Sequence, residues 1–345
     1  MNDRVGRLQQ SLEEPLLVTN PTNVLYLVGF KSSNAALLVE PDGVRLFSDF
    51  RYAEAARALE GVRFEETKRS LVKDLAGRLS GRVGFEADFV SYSGYETLAG
   101  DGVEPVPRRG LVEALRAVKD ADELAAVKEA CAITDRMFER LVEERFVGRT
   151  ERDVAWTIEQ LFHEEGADGL AFESVVASGP NAARPHSRAS DREISRGETV
   201  VVDTGCTVRG YTSDSTRTFA TGPLDGDIHE AYAVVGAAQQ AGLEAIRAGM
   251  EAVDADGAAR RVVDESPFAG LFGHGLGHGL GLEVHEAPRL STESEDTLAA
   301  GNVVTVEPGV YLAGKAGIRI EDDVVVTETG IDNYTGFRKD LIVVD

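Results

Sequence analysis

The chain has 345 residues, 43% of them hydrophobic and 28% charged, and a formal net charge of −23. That length is enough for two domains, and the acidic balance excludes nucleic acid or an anionic membrane as main partner, because both would be repelled. Two cysteines, Cys131 and Cys206, exclude a disulfide framework and fit a reducing, cytoplasmic compartment.

The opening MNDRVGRLQQSLEE is polar, without the apolar core of a signal peptide, and no apolar run reaches the roughly 18 residues of a membrane span. From there β-type runs alternate with helical ones: VLYLVGF, AALLVE and VRLFSDF, then RYAEAARALE, VRFEET, SLVKDLAGRL, RVGFEA and VEPVP. AALLVEPDGVRLFSDF reads as a hairpin turned at Pro41-Asp42-Gly43. The pattern predicts a small α/β domain over 1–115. Helical spacing then runs over 111–144 with a break near Asp120, and a second helix opens at Thr150 as N-cap and runs to Gly166. Strands (FESVVASG, TVVVDTG, DSTRTFA), two helices at about 227–248 and 253–265, and a strand-rich end complete an α+β domain over 116–345, its strands antiparallel across short turns.

The segment LFGHGLGHGLGLEVHEAPRL (271–290) has glycine at every second position from Gly273 to Gly281. The glycine spacing fits no dinucleotide fingerprint, and no Gly-Lys-Ser/Thr follows. On an extended strand the glycines would line one face and His274, Leu276, His278 and Leu280 the other, letting a ligand or a neighbouring backbone come close. Taken alone, the segment fits a metal-facing strand or a glycine-rich loop with incidental histidines.

The carboxylates bear on that choice. Asp203 and Asp214 flank a turn near Arg209-Gly210, so a hairpin would place them opposite or nearly so, about 5 Å apart at Cβ. Glu307 and Glu321 flank a second turn near Gly314. These acids sit within or directly after β-branched runs (VVVD, VTVE, IRIE), where adjacent buried carboxylates raise each other's pKa unless cations neutralise them. Two divalent ions would balance four carboxylates, with one imidazole from His278 completing a mostly oxygen shell. Such donors favour Mn²⁺, with Co²⁺, Fe²⁺ or Zn²⁺ as alternatives. Paired ions about 3.5–4 Å apart activate water and polarise a carbonyl.

The order Asp203, Asp214, His278, Glu307, Glu321, in the contexts VVDTGCTVRGYTSDSTRT, GHGLGHGLGLEVHEAP, TVEPGVY and IRIEDD, resembles the pita-bread metallopeptidases, specifically their Xaa-Pro aminopeptidase and prolidase branch. The resemblance covers nearly the whole chain, since the first 115 residues look like that branch's creatinase-type N-terminal domain. It implies a pita-bread fold in which Asp203 binds one metal, His278 and Glu307 the other, and Asp214 and Glu321 bridge them. It also implies that His186 and His285 meet the substrate and stabilise the tetrahedral intermediate, that Arg319 braces Glu321, and that His274 lines the pocket. The expected reaction is attack of a metal-bridging hydroxide on an Xaa-Pro bond, Glu307 relaying the proton. Proline matters because its nitrogen offers no N–H. Arg289 is expected to pair with the free carboxylate of a dipeptide, and a homodimer is the expected assembly. His163 and His229 read as structural.

Three related readings compete. A methionine aminopeptidase shares the metal set but usually lacks such an N-terminal domain. Non-catalytic pita-bread binding modules typically lose the ligands, and creatinase works without them, whereas all five stand here.

Overall fold

The computed structural model describes residues 3–100 and 102–345 and divides into two compact units between Arg116 and Ala117. The first unit holds α1 (Asp3–Gln10), β1 (Leu16–Val18), α2 (Pro21–Val28), β2 (Ala35–Glu40), β3 (Gly43–Asp49), α3 (Ala53–Arg57), β4 (Arg63–Thr67), α4 (Leu71–Ala76), β5 (Gly81–Glu86), α5 (Tyr92–Leu98), β6 (Val103–Arg108) and most of α6 (Leu111–Ala117). Its one sheet runs β4-β3-β2-β1-β5-β6. β2 is antiparallel to both neighbours, and the other pairings are parallel. Leu17, Ala36, Leu38, Phe47 and Val83 of the sheet bury themselves against Leu71, Leu75 and Leu98 of the helices, as an α/β layer requires.

VLYLVGF, expected to be β-type, is helical. Asn20 caps it by accepting from the Thr22 N–H at 2.9 Å, Pro21 occupies the first turn, and Gly29 ends it at φ 69°. A short apolar run has no period that separates a strand from a buried helix, so the caps decide. The AALLVE/VRLFSDF hairpin forms with Glu40 opposite Gly43, the turn being Pro41 and Asp42.

The second unit continues with α7 (Ala121–Leu141), α8 (Glu151–Glu164), β7 (Gly169–Leu170), β8 (Val175–Ser178), β9 (Thr199–Thr204), β10 (Cys206–Val208), β11 (Tyr211–Thr212) and β12 (Ser215–Ala220). It ends with α9 (Gly226–Ala245), α10 (Ala252–Asp264), β13 (Gly277–Gly279), β14 (Glu286–Leu290), β15 (Val303–Val306), β16 (Gly309–Leu312), β17 (Ala316–Arg319), β18 (Asp322–Val326) and β19 (Ile331–Asn333). Asp120 and Thr150 cap α7 and α8, each in a reciprocal capping box with the acid three residues on.

All strand pairings between these elements are antiparallel: β12-β9-β8, β14-β13-β15-β18-β19, β16-β17 and β11-β10-β7. Two apolar clusters hold them. One packs α9 and α10 on Leu276, Val304, Val306, Ile318 and Val324; the other packs α7 and α8 on Val176, Val200, Val202 and Phe219. No described helix is long and apolar enough to cross a membrane.

Candidate metal centre

Two hairpins bring the carboxylates together. In the first, Asp203 of β9 lies opposite Thr216, with Ser215 opposite Thr204, so Asp214 is displaced along the ladder from Asp203 rather than facing it. The turn sets this offset: Val208 pairs with Tyr211 across Arg209-Gly210, and the same register carries on to Thr204 and Ser215, so Asp214 falls opposite Gly205, where an added Cβ would stand 1.8 Å from the Ser213 carbonyl. In the second hairpin the ladders Val306 to Asp322 and Gly309 to Arg319 share one register, which places Glu307 opposite Glu321. The hairpins are stitched together: Glu321 N–H donates to Thr216 O at 3.1 Å, and Thr218 Oγ1 both donates to Arg319 O and accepts from its N–H.

His278 enters from β13. Its N–H donates to Thr305 Oγ1 at 3.1 Å, and its Nδ1 lies 3.1 Å from Gly279 O, an acceptor that fixes the proton on Nδ1. Nε2 is left facing Glu307 Oε1 at 3.4 Å and Asp214 Oδ2 at 3.7 Å. Ligating atoms of Asp214, His278 and Glu321 all fall within 4.8 Å of one another. Burial, then the neighbouring acids, push the Asp214 and Glu321 carboxyls well above the usual range, and Glu307 stands at about 8. Burial and then His285 bring His278 down to about 4, so its imidazole is neutral and free to ligate.

Asp203 Oδ1 and Asp214 Oδ1 are buried without a hydrogen-bond partner. Such orphaned acceptors are costly unless a cation completes them. One buried guanidinium, Arg319, cannot balance four carboxylates, whereas two divalent ions would. The donor set of hard oxygens and one imidazole suits such ions.

Arg319 was expected to brace Glu321. It ion-pairs directly with Asp203 through Nη2, approaches Glu307 Oε2 at 4.0 Å, and reaches Glu321 through Thr216, to whose Oγ1 its Nε donates at 3.0 Å. Glu321 is held by Thr216, whose hydroxyl donates to Oε2 at 2.6 Å. Chain geometry accounts for this: Arg319 and Glu321 are two apart on one strand path, while Asp203 comes from the adjoining hairpin. Arg319 Nη1 also donates to the Tyr311 hydroxyl at 3.0 Å, which lies 2.9 Å from His274 Nε2.

The glycine-rich segment is a strand only over Gly277–Gly279, and its register shifts after His278. His274 and His278 line the cleft, but Leu276 and Leu280 are wholly buried in two different apolar clusters rather than sharing the histidines' face. The glycines make room for neighbouring backbone: an added Cβ would lie 2.7 Å from Leu290 O at Gly275, 2.0 Å from Thr305 O at Gly277 and 2.3 Å from Ala287 O at Gly279. α10 pins this segment. Asp256, paired with Arg260 at 2.7 Å, accepts from Leu276 N–H, while Arg260 donates to the Phe272 and His274 carbonyls.

The cleft measures about 730 Å³. His186, His285 and Arg289 line it and are exposed, the His285 ring centre 4.3 Å from that of His278. Arg289 lies opposite His278 on β14. Phe172, Val175 and Val284 give it apolar wall. His163 and His229 stand on α8 and α9, outside the cleft lining. Sequence reading missed Tyr311, Thr216 and Thr305. Tyr311 had a usable signal, because a hairpin turning at Gly314 puts it on the same side as Arg319.

An acidic two-hairpin centre with one imidazole, on an α+β scaffold that follows a creatinase-type α/β unit in the sequence, defines a pita-bread metallopeptidase. Residues 125–328 match metallopeptidase family M24 and residues 4–118 the Creatinase/Prolidase N-terminal domain, so the chain belongs to family M24. It is 38% identical over 335 residues, 95% of each chain, to the uncharacterized peptidase YqhT of Bacillus subtilis. It is 32% identical to the Xaa-Pro dipeptidase of Pyrococcus furiosus, covering 99% of this chain and all of that one. The solved Xaa-Pro dipeptidase from Bacillus anthracis superposes with a TM-score of 0.95 at 34% identity over 99% of both chains.

Proposed function

We propose that this metallopeptidase hydrolyses the bond between an N-terminal residue and proline, with Xaa-Pro dipeptides as its preferred peptides. The observation that carries this is the convergence of Asp203, Asp214, His278, Glu307 and Glu321 with orphaned buried acceptors at the floor of a peptide-sized cleft. Residues 116–345 form the catalytic domain in this reading. Asp203 would hold one metal, His278 and Glu307 the second, and Asp214 and Glu321 both. Two divalent ions, Mn²⁺ first among the candidates, would supply a nucleophile at neutral pH and Lewis-acid polarisation of the scissile carbonyl.

This chain's side chains supply the rest. Glu307, at the floor of the cleft, is suited to accept a proton from the attacking water and pass it to the departing prolyl nitrogen. His285 and His186 reach into the cleft as donors for the oxyanion. Arg289 on the rim is suited to pair with the carboxylate of a dipeptide, and Phe172 and Val175 offer an apolar wall to the pyrrolidine ring. Longer Xaa-Pro peptides are the second reading, since an exposed Arg289 leaves the cleft mouth open. A homodimer is carried over from the family resemblance, and a cytoplasmic location is supported by two unbonded buried cysteines.

Hydrolysis of Ala-Pro, Ala-Pro-Ala and Ala-Ala-Ala, on Mn²⁺-loaded and chelator-stripped protein, tests the proposal. Metal-dependent cleavage of the proline peptides, Ala-Pro fastest, supports it. Equal cleavage of Ala-Ala-Ala would overturn the proline specificity.

A further inference from the structure

His186 stands on the segment that leaves β8 at Ser178 and returns at Ser190, and this segment is tied at its neck to one side chain. Glu151, the first residue of α8, is wholly buried. Its Oε1 accepts from Ser178 N–H at 2.7 Å, Ser178 Oγ at 2.8 Å and Asn181 Nδ2 at 3.1 Å. Its Oε2 accepts from Asn181 Nδ2 at 3.0 Å, Ser190 N–H at 3.1 Å and Ser190 Oγ at 2.6 Å. Both ends of the segment and its first turn therefore meet on one carboxylate, through charge-assisted bonds roughly twice as strong as neutral ones.

Beyond the neck the segment rests on the metal-site hairpin. At Gly317 of β17 an added Cβ would stand 1.9 Å from Ala182 O, and Pro185 O, next to His186, accepts from Arg319 Nη1 at 3.4 Å. The carboxylate fixes both ends at the neck and the hairpin meets the middle of the segment, from which His186 lines the cleft.

We propose that Glu151 is a positioning residue for His186: its carboxylate sets the path of residues 178–190 and so the place at which the imidazole meets substrate. The proposal rests on the reading of His186 as a substrate-facing group. Glu151→Gln keeps the volume but turns an NH₂ toward the N–H donors of Ser178 or Ser190, which releases one side of the neck.

Two readouts on Mn²⁺-loaded protein test this. In Glu151→Gln, amide hydrogen exchange over 179–189 is expected to quicken while β9 and β15 stay protected. Ala-Pro kcat/KM is expected to fall about 10- to 100-fold, the scale of an ångström-sized misplacement, with metal content unchanged. Combined with His186→Ala, the substitution is expected to add no further loss. Should Glu151→Gln fail to fold, Ser190→Ala removes one tie and is expected to give a smaller loss that likewise vanishes beside His186→Ala. Unchanged exchange, losses that multiply, or loss of metal along with activity would overturn the proposal. An impaired His186→Ala beside an unimpaired Glu151→Gln overturns the clamp alone, whereas a fully active His186→Ala overturns the His186 reading and the clamp with it. A wild-type protein inert on Ala-Pro refutes the substrate reading, and exchange then decides the clamp.

Discussion

Arg319 rests its guanidinium on Asp203 of the neighbouring hairpin and leaves Glu321, two residues along its own chain, to the hydroxyl of Thr216. The only buried cation among the cleft residues thus serves the acid expected to hold just one metal. The acid expected to bridge is oriented by a neutral donor.

Removing one partner of a buried ion pair costs about 3–5 kcal/mol, because the other charge is left uncompensated. Arg319→Ala is expected to lower the urea stability of the metal-free protein by that amount. Arg319→Lys should recover less than half, since an ammonium cannot reach Asp203, Thr216 and Tyr311 in one fork geometry. A loss under about 1 kcal/mol in Arg319→Ala would show that the pair does not support the fold.

The metal-free centre should titrate in a diagnostic direction. Glu307, and Asp323 of β18, which accepts from the Asp214 N–H at 2.8 Å, stand at about 8, and Asp214 and Glu321 lie well above the usual carboxylate range, burial being the main cause in each. Their folded pKa exceeds the unfolded value, so the folded state binds more protons and stability falls as pH rises toward 8. His274 and His278, held down at about 4, oppose this only below their ordinary 6.5. Between pH 6.5 and 8 the metal-free protein is therefore expected to lose stability steadily, by denaturant titration. Mn²⁺ affinity should rise over the same window as the ligands give up protons. Stability that climbs with pH there would contradict the account.

Gly277 allows the Thr305 carbonyl to pass where a Cβ would stand 2.0 Å away. Because Thr305 also anchors His278 through its hydroxyl, Gly277→Ala should displace the ligand strand. The expected outcome is loss of bound metal and of activity, read by elemental analysis of purified protein. Full metal content in this variant would show that β13 can shift without disturbing the centre.

The convergence of acids was legible in part because Asp203, Glu307 and Glu321 stand in or directly after apolar β runs where an uncompensated acid is unfavourable, and the caps Asp120 and Thr150 marked their helices. The offset of Asp203 from Asp214 was not, because it depends on which two residues make the turn: with Arg209 and Gly210 at the tip, Asp203 faces Thr216. The partner of Arg319 was likewise hidden, since it depends on how two hairpins abut. VLYLVGF misled because its N-cap Asn20 and first-turn Pro21 lie ahead of the run while its C-cap Gly29 stands inside it, and α5 carries too short a pattern to stand out.

Arg289 offers the test of peptide length. A charge-assisted pair to a substrate carboxylate is worth about 1.5–3 kcal/mol, so Arg289→Ala should cut Ala-Pro turnover by roughly 10- to 150-fold and spare Ala-Pro-Ala. Equal losses on both peptides would remove the pairing with the dipeptide carboxylate.

Four carboxylates and His278 are proposed to form a two-metal hydrolytic centre. Its most direct test is stepwise return of Mn²⁺ to chelator-stripped protein, with Ala-Pro hydrolysis read at each equivalent and Asp214→Asn carried alongside. Activity should be absent without metal, reach its plateau at two equivalents per chain, and stay absent in Asp214→Asn at any Mn²⁺ level. Full activity in the stripped protein, or in Asp214→Asn, would contradict the account.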